Sequence, residues 1–180
     1  MPAFTNYVEG IYVGYKYYET AAQEGAIDYD KTVQYPFGYG LSYTEFEQKM
    51  GELEEKDGQI SVDVEVTNTG DVAGKDVVEV YYKPPYTNGG IEKSSANLIE
   101  FAKTDLLQPG ESQTVTVTFS IEDMASYDEN NAKAYVLEKG DYVISINSDS
   151  HTVLDQKTYT ADKDVVYKGC LLYTSDAADD

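Results

Sequence analysis

Between residues 60 and 66 every second position is apolar: Ile60, Val62, Val64 and Val66 alternate with Ser61, Asp63 and Glu65. Successive side chains of an extended chain point to opposite faces, so this pattern predicts a strand buried on one side only. The alternation returns at Val78, Val80 and Tyr82, which run into Pro84-Pro85. It is cleanest at Val115, Val117, Phe119 and Ile121, set against Thr114, Thr116, Thr118 and Ser120. It returns once more at Tyr142, Ile144 and Ile146. Shorter apolar runs at Leu98-Ile99 with Phe101, and at Tyr135-Val136-Leu137, predict further strands, and a weaker one is expected from Val153 to Tyr159. Turn chemistry separates them at Asn68-Thr69-Gly70-Asp71, Asn88-Gly89-Gly90, Pro109-Gly110 and Gly140. Several short strands with no long helical period predict a mainly β, antiparallel β-sandwich.

The Cys-Trp-Cys signature of antibody domains is absent, which leaves a fibronectin type III-like or similar immunoglobulin-like sandwich over residues 51–165. Residues 1–50 follow different rules. Phe4, Val8, Ile11, Tyr15 and Tyr18 fall at helical spacing, and Gly10 and Gly14 limit the prediction to a short helical turn. The run Tyr35-Pro36-Phe37-Gly38-Tyr39-Gly40-Leu41-Ser42-Tyr43-Thr44 has no period. Pro36 keeps Tyr35 extended, and the two glycines permit close backbone approach. This is the pattern of a packed, irregular connector, with burial of Leu41, Tyr43 and Phe46 expected to dock the sandwich to the domain before it. Residues 166–180, ending Asp176-Ala177-Ala178-Asp179-Asp180, continue neither pattern and are expected to be a non-native tail.

The formal net charge is -20 over 180 residues. Such a chain repels phosphate backbones and anionic membrane surfaces, so neither nucleic acid nor membrane is an expected partner. No apolar run approaches the roughly 20 residues of a spanning helix. Met1-Pro2-Ala3-Phe4-Thr5 has no leader pattern, which implies either an unexported chain or a start further upstream. One cysteine, Cys170, excludes an internal disulfide. The 18 tyrosines, with no tryptophan, suit strands and half-buried surfaces.

Asn6-Tyr7-Val8-Glu9-Gly10-Ile11-Tyr12-Val13-Gly14-Tyr15-Lys16-Tyr17-Tyr18, followed by the Tyr35–Thr44 run, resembles the end of the second domain of family 3 glycoside hydrolases. Val66-Thr67-Asn68-Thr69-Gly70-Asp71-Val72-Ala73-Gly74, Leu106-Leu107-Gln108-Pro109-Gly110-Glu111-Ser112 and Gly140-Asp141-Tyr142 are similar to that family's fibronectin type III-like domain. Lys16 departs from the arginine usual in the family, and lysine lacks arginine's planar, bidentate contacts. The resemblance implies that residues 1–50 are the remnant of an α/β sandwich domain plus the connector. It also implies that the parent is a retaining glycosidase acting on β-glucosides or related β-glycosides. Retention needs two carboxyl groups about 5 Å apart, one a nucleophile and one an acid/base. The family's two carboxylates lie upstream of these motifs, so no residue here is expected to be catalytic. The fragment is expected to be structural and inactive alone, with the upstream catalytic domains of the same chain as its partner and an oligosaccharide as a further one. The alternative is a stand-alone module that binds carbohydrate or protein.

No other constellation competes. Glu9 is a lone carboxylate, expected to position its segment. Asp28 and Asp30 beside Glu24, and Asp123 with Asp128-Glu129, lack the spacing of a calcium loop and are expected to be solvated. His151 is the only histidine, so neither a protease-type triad nor a zinc site is supported, and no metal or cofactor is expected. Lys83-Pro84-Pro85-Tyr86-Thr87-Asn88-Gly89-Gly90 is read as a long sandwich loop with Tyr86 exposed.

Overall fold

The computed structural model describes residues 10–167; Glu9, Cys170 and residues 168–180 of the expected tail lie outside them, whereas Val166 and Tyr167, expected in the tail, form part of the last strand. Two short helices come first, α1 (Tyr15–Gln23) and α2 (Tyr29–Thr32). Ten strands follow: β1 (Phe46–Lys56), β2 (Gln59–Asn68), β3 (Val77–Lys83), β4 (Asn97–Lys103), β5 (Ser112–Ser120), β6 (Ser126–Asp128), β7 (Ala134–Leu137), β8 (Gly140–Asn147), β9 (Val153–Ala161) and β10 (Val165–Tyr167). A 3-10 turn at Ile121–Met124 links β5 to β6. No helix among the described residues is long and apolar enough to cross a membrane.

The strands make a three-stranded sheet in the order β1-β2-β5, a four-stranded sheet in the order β4-β3-β8-β9, and a small sheet β10-β7-β6. All pairings are antiparallel. Register follows from the alternation. Ile60 faces Phe119, Val62 faces Val117 and Val64 faces Val115. On the second sheet Val80 faces Ile146 and Tyr82 faces Ile144. A slip of one residue would turn every one of these side chains to water. Both inward faces meet in one core that contains Val62, Val64, Val78, Val80, Tyr142, Ile144 and Ile146. Each large side chain fully buried there contributes roughly 1.5–3 kcal/mol.

The outward row of the second sheet places Glu79 opposite Asn147, Tyr81 opposite Ser145, and Lys83 opposite Val143. Tyr81 and Asn147 are nonetheless buried. That face is therefore covered, and the covering comes from residues 12–44.

Candidate docking interface

Gly14 starts α1 at φ 58°, a backbone conformation that glycine adopts without steric cost. The helix then lays Tyr15 and Glu19 on one face, one turn apart. The Tyr15 ring stacks on Phe37 at 4.6 Å and meets Tyr81 edge-on at 6.2 Å. Its hydroxyl oxygen accepts the Leu98 amide at 2.9 Å. Half a turn further, Thr20 Oγ1 accepts the Ser95 amide at 3.0 Å.

Glu19 is buried, and its carboxylate is met on both oxygens. Tyr29 and Ser150 hydroxyls donate to Oε1 at 2.6 and 2.8 Å, and His151 Nδ1 lies 2.8 Å from Oε2. The Tyr29 ring stacks on His151 at 3.7 Å, almost parallel. A buried carboxylate without partners would be strongly unfavourable, and these three groups remove that cost. They also join α1, α2 and the β8–β9 loop at one point. His151 thus has a positioning role that no local sequence signal carried.

The connector is fixed in the same way. The Phe37 carbonyl accepts the Ser150 amide at 2.8 Å. Gly38, at φ 87°, passes so close to Glu79 that a Cβ there would lie 2.7 Å from its Oε2. Glu79 itself accepts the Tyr81 hydroxyl at 2.9 Å. Burial holds the Glu79 carboxyl above its ordinary value of 4.5; the Tyr81 hydrogen bond opposes the shift, and the nearby Asp149 and Asp76 charges add to it. The folded state therefore binds this proton more tightly than the unfolded chain does. The group's stabilising contribution is full below its ordinary value and is lost as pH rises through the raised one. Glu79→Gln keeps an acceptor for Tyr81 but cannot ionise. Its melting temperature relative to the unsubstituted chain is expected to rise as pH increases above the ordinary carboxyl value of 4.5. A difference that stays constant with pH contradicts this assignment.

At the far end, Thr44 Oγ1 donates to Asn68 Oδ1 at 2.7 Å, and the Asn68 amide donates to the Val72 and Leu107 carbonyls at 2.8 and 2.9 Å. The Thr69 and Gly70 amides both donate to the Glu45 carbonyl. Thr44 points into the sandwich, so in extended chain its neighbour Tyr43 must point away. Of the three apolar residues expected to dock the sandwich to the domain before it, Leu41 and Tyr43 are 89% and 98% exposed in this chain, and only Phe46 packs against the core. Tyr35, Phe37 and Tyr39 are also partly open, and the Tyr35 and Tyr39 rings lie 5.0 Å apart. The connector is therefore two-sided, bonded inward and aromatic outward.

The remaining candidates resolve simply. Asp28 pairs with Lys31 at 2.5 Å on an exposed turn. Asp128 departs from expectation: it is buried, and it accepts the amides of Asn130, Asn131 and Ala132, which hold its carboxyl below the usual range. It organises its own turn. No group of three His, Cys, Asp or Glu among the described residues could hold a metal. Desolvation lowers the Lys16 pKa, and among the described residues its ammonium pairs with no carboxylate.

Residues 76–150 match the fibronectin type III-like domain family. Beta-glucosidase A of Butyrivibrio fibrisolvens is 40% identical over 91% of this chain and 21% of its own length. The structure of beta-glucosidase 3B from Thermotoga neapolitana in complex with α-D-glucose aligns with a TM-score of 0.77 and 36% identity, covering 91% of this chain and 21% of that one. That of the GH3 beta-glucosidase from Bifidobacterium adolescentis aligns with a TM-score of 0.72 and 30% identity, covering 85% and 21%. The chain thus spans 20–21% of the length of the curated relatives it matches first.

Proposed function

We propose that this chain, which carries a fibronectin type III-like domain and is homologous to one part of the family 3 β-glucosidases, is the non-catalytic C-terminal part of such an enzyme. In this reading the chain up to Glu45 is the end of an α/β domain with its connector, the sandwich runs from Phe46 to Tyr167, and residues 168–180 are foreign to both. The parent hydrolyses O-glycosidic bonds of β-glucosides or related β-glycosides with retention, using carboxylates from its upstream domains. An oligosaccharide is then the parent's substrate, and those domains are this chain's partner.

One observation carries the reading. The connector is bonded to the sandwich along its inner side, yet it turns Leu41 and Tyr43 almost wholly to water. Exposed aromatic and apolar side chains clustered on a rigid segment mark a surface that another body covers. The relatives have such a body in the four-fifths of their length that this chain does not span.

Tyr43→Asp tests the reading. In the isolated chain it is expected to change stability by less than about 0.5 kcal/mol, as for an ordinary surface position. In the full-length enzyme it is expected to cost about 2 kcal/mol or more, because a charge enters a buried interface. Equal small effects in both contexts contradict the docking role. The isolated chain is expected to show no turnover of aryl β-glucosides; measurable turnover at purity contradicts its assignment as non-catalytic.

A further inference from the structure

The loop from Pro84 to Ala96 is more firmly tied than a connection of its length needs to be. Tyr12 donates to Glu92 at 2.5 Å, and the Lys93 ammonium, itself buried, donates to the Pro85 carbonyl at 2.6 Å and pairs with Glu138. Ser94 and Asn97 close its end. Each tie points inward, and together they hold the loop's outer limb rigid beside α1. A cleft of about 540 Å³ lies between the two. Its size falls in the usual range for small-ligand sites, about 300–1,000 Å³.

Its lining is mixed in a particular way. Tyr86 is 45% exposed, and its ring carries no recorded aromatic partner or hydrogen bond among the described residues. Around it are the amides of Gln23 and Asn88, the ammonium of Lys83, and the carboxylates of Glu24 and Asp141. Among the described residues, Gln23, Glu24, Lys83 and Asn88 make no side-chain hydrogen bond, and Asp141 spends one oxygen on Thr160. Donors and acceptors therefore alternate around an open aromatic face. The lining carries Glu24 and Asp141 against Lys83 and Lys93, and Lys93 is already paired with Glu138, so on a chain of net charge -20 the cleft repels an anionic ligand. A ligand that offers hydroxyls as both donors and acceptors, and a C–H face for the ring, satisfies all of these groups.

We propose that this cleft is a binding site for a short neutral oligosaccharide, with Tyr86 as its stacking platform and Gln23, Lys83, Asn88 and Asp141 reading its hydroxyls. The site is formed wholly by this chain. The fixed loop removes the ordering cost that a mobile loop would add on binding.

The test is a titration of the isotope-labelled 180-residue chain with neutral cello- and xylo-oligosaccharides, followed by amide chemical shifts. Shift changes are expected on residues 83–90 and 20–24. Tyr86→Ala is expected to weaken binding roughly tenfold or more, while Tyr127→Ala, an exposed tyrosine on the small sheet, leaves it unchanged. Tyr86 lies outside the core, so the variant's spectrum stays dispersed, and loss of binding is then not loss of fold. Absence of shifts at millimolar sugar, shifts confined elsewhere, or affinity indifferent to Tyr86→Ala would each overturn the proposal. Preference for an acidic glycan over a neutral one would overturn it as well.

Discussion

Asn68→Ala is expected to lower the stability of the chain by about 2–4 kcal/mol. Asn68 is 0% exposed and is used at every atom its side chain offers. Oδ1 accepts from Thr44 Oγ1 and from the Gly70 amide; Nδ2 donates to two carbonyls, of Val72 and Leu107. Truncation leaves the Thr44 hydroxyl and the Val72 carbonyl without this partner, while the Leu107 carbonyl keeps the Gly74 amide and the Gly70 amide keeps the Glu45 carbonyl. Each orphaned group costs about 1–3 kcal/mol, and partial relaxation keeps the sum below full additivity. Thermal or urea unfolding of the variant checks this. A loss below about 1 kcal/mol would mean that water reaches the site and that the joint between connector and sandwich is looser than its geometry.

Gly38→Val is expected to cost about 2–3 kcal/mol for two separable reasons. A β-branched residue at φ 87° is strained, which accounts for about 1–3 kcal/mol. Its Cβ would also lie 2.7 Å from Glu79 Oε2, so the carboxylate must shift and loosen its bond to Tyr81. Gly40→Val is the internal control. Gly40 has no neighbour within 4 Å of a Cβ and no positive φ, so its effect is expected to stay within about 0.5 kcal/mol. The motif's two glycines look equivalent in sequence, and the structure separates them. Melting curves of both variants settle the point, and equal losses would contradict it.

Much of the sandwich was legible because its strands obey one period. β2, β3, β5 and β8 bury alternate Val, Ile, Phe and Tyr, and their observed registers bring those residues face to face. β1 was hidden because Gly51 lies in a register shift between Met50 and Leu53, and Glu47, Glu52, Glu54 and Glu55 mask its apolar side. β6 and β10 are three residues each, too short to display a period. Of the helical turn expected on Phe4, Val8, Ile11, Tyr15 and Tyr18, the first two residues lie outside the described ones, and Tyr15 and Tyr18 fall in the observed helix. It begins only at Tyr15, after the positive φ of Gly14, and runs through Glu19, Ala21 and Ala22, good helix formers that carry little apolar signal.

The docking interface was legible only in part. The Tyr35–Thr44 run was recognisable as a packed connector, but composition does not say which side of an irregular segment faces inward. Leu41, Tyr43 and Phe46 were grouped for their apolarity, but Thr44 bonds inward and Phe46 packs on the sandwich core while Leu41 and Tyr43 face water. The contacts of Glu19 with Ser150 and His151 join residues more than 130 positions apart, and pairings of that kind have no periodic signature. Asn68 read as a turn residue, because its hub role depends on Thr44 and Leu107 arriving from distant segments.

If this chain is one part of a larger retaining β-glycosidase, as we propose, held to the rest through its connector, the nucleotide sequence on either side of its reading frame in the source genome reveals it. The frame is then expected to continue upstream of Met1 for several hundred codons, into domains that carry the two catalytic carboxylates. A stop codon and a ribosome-binding site immediately before Met1 would contradict it.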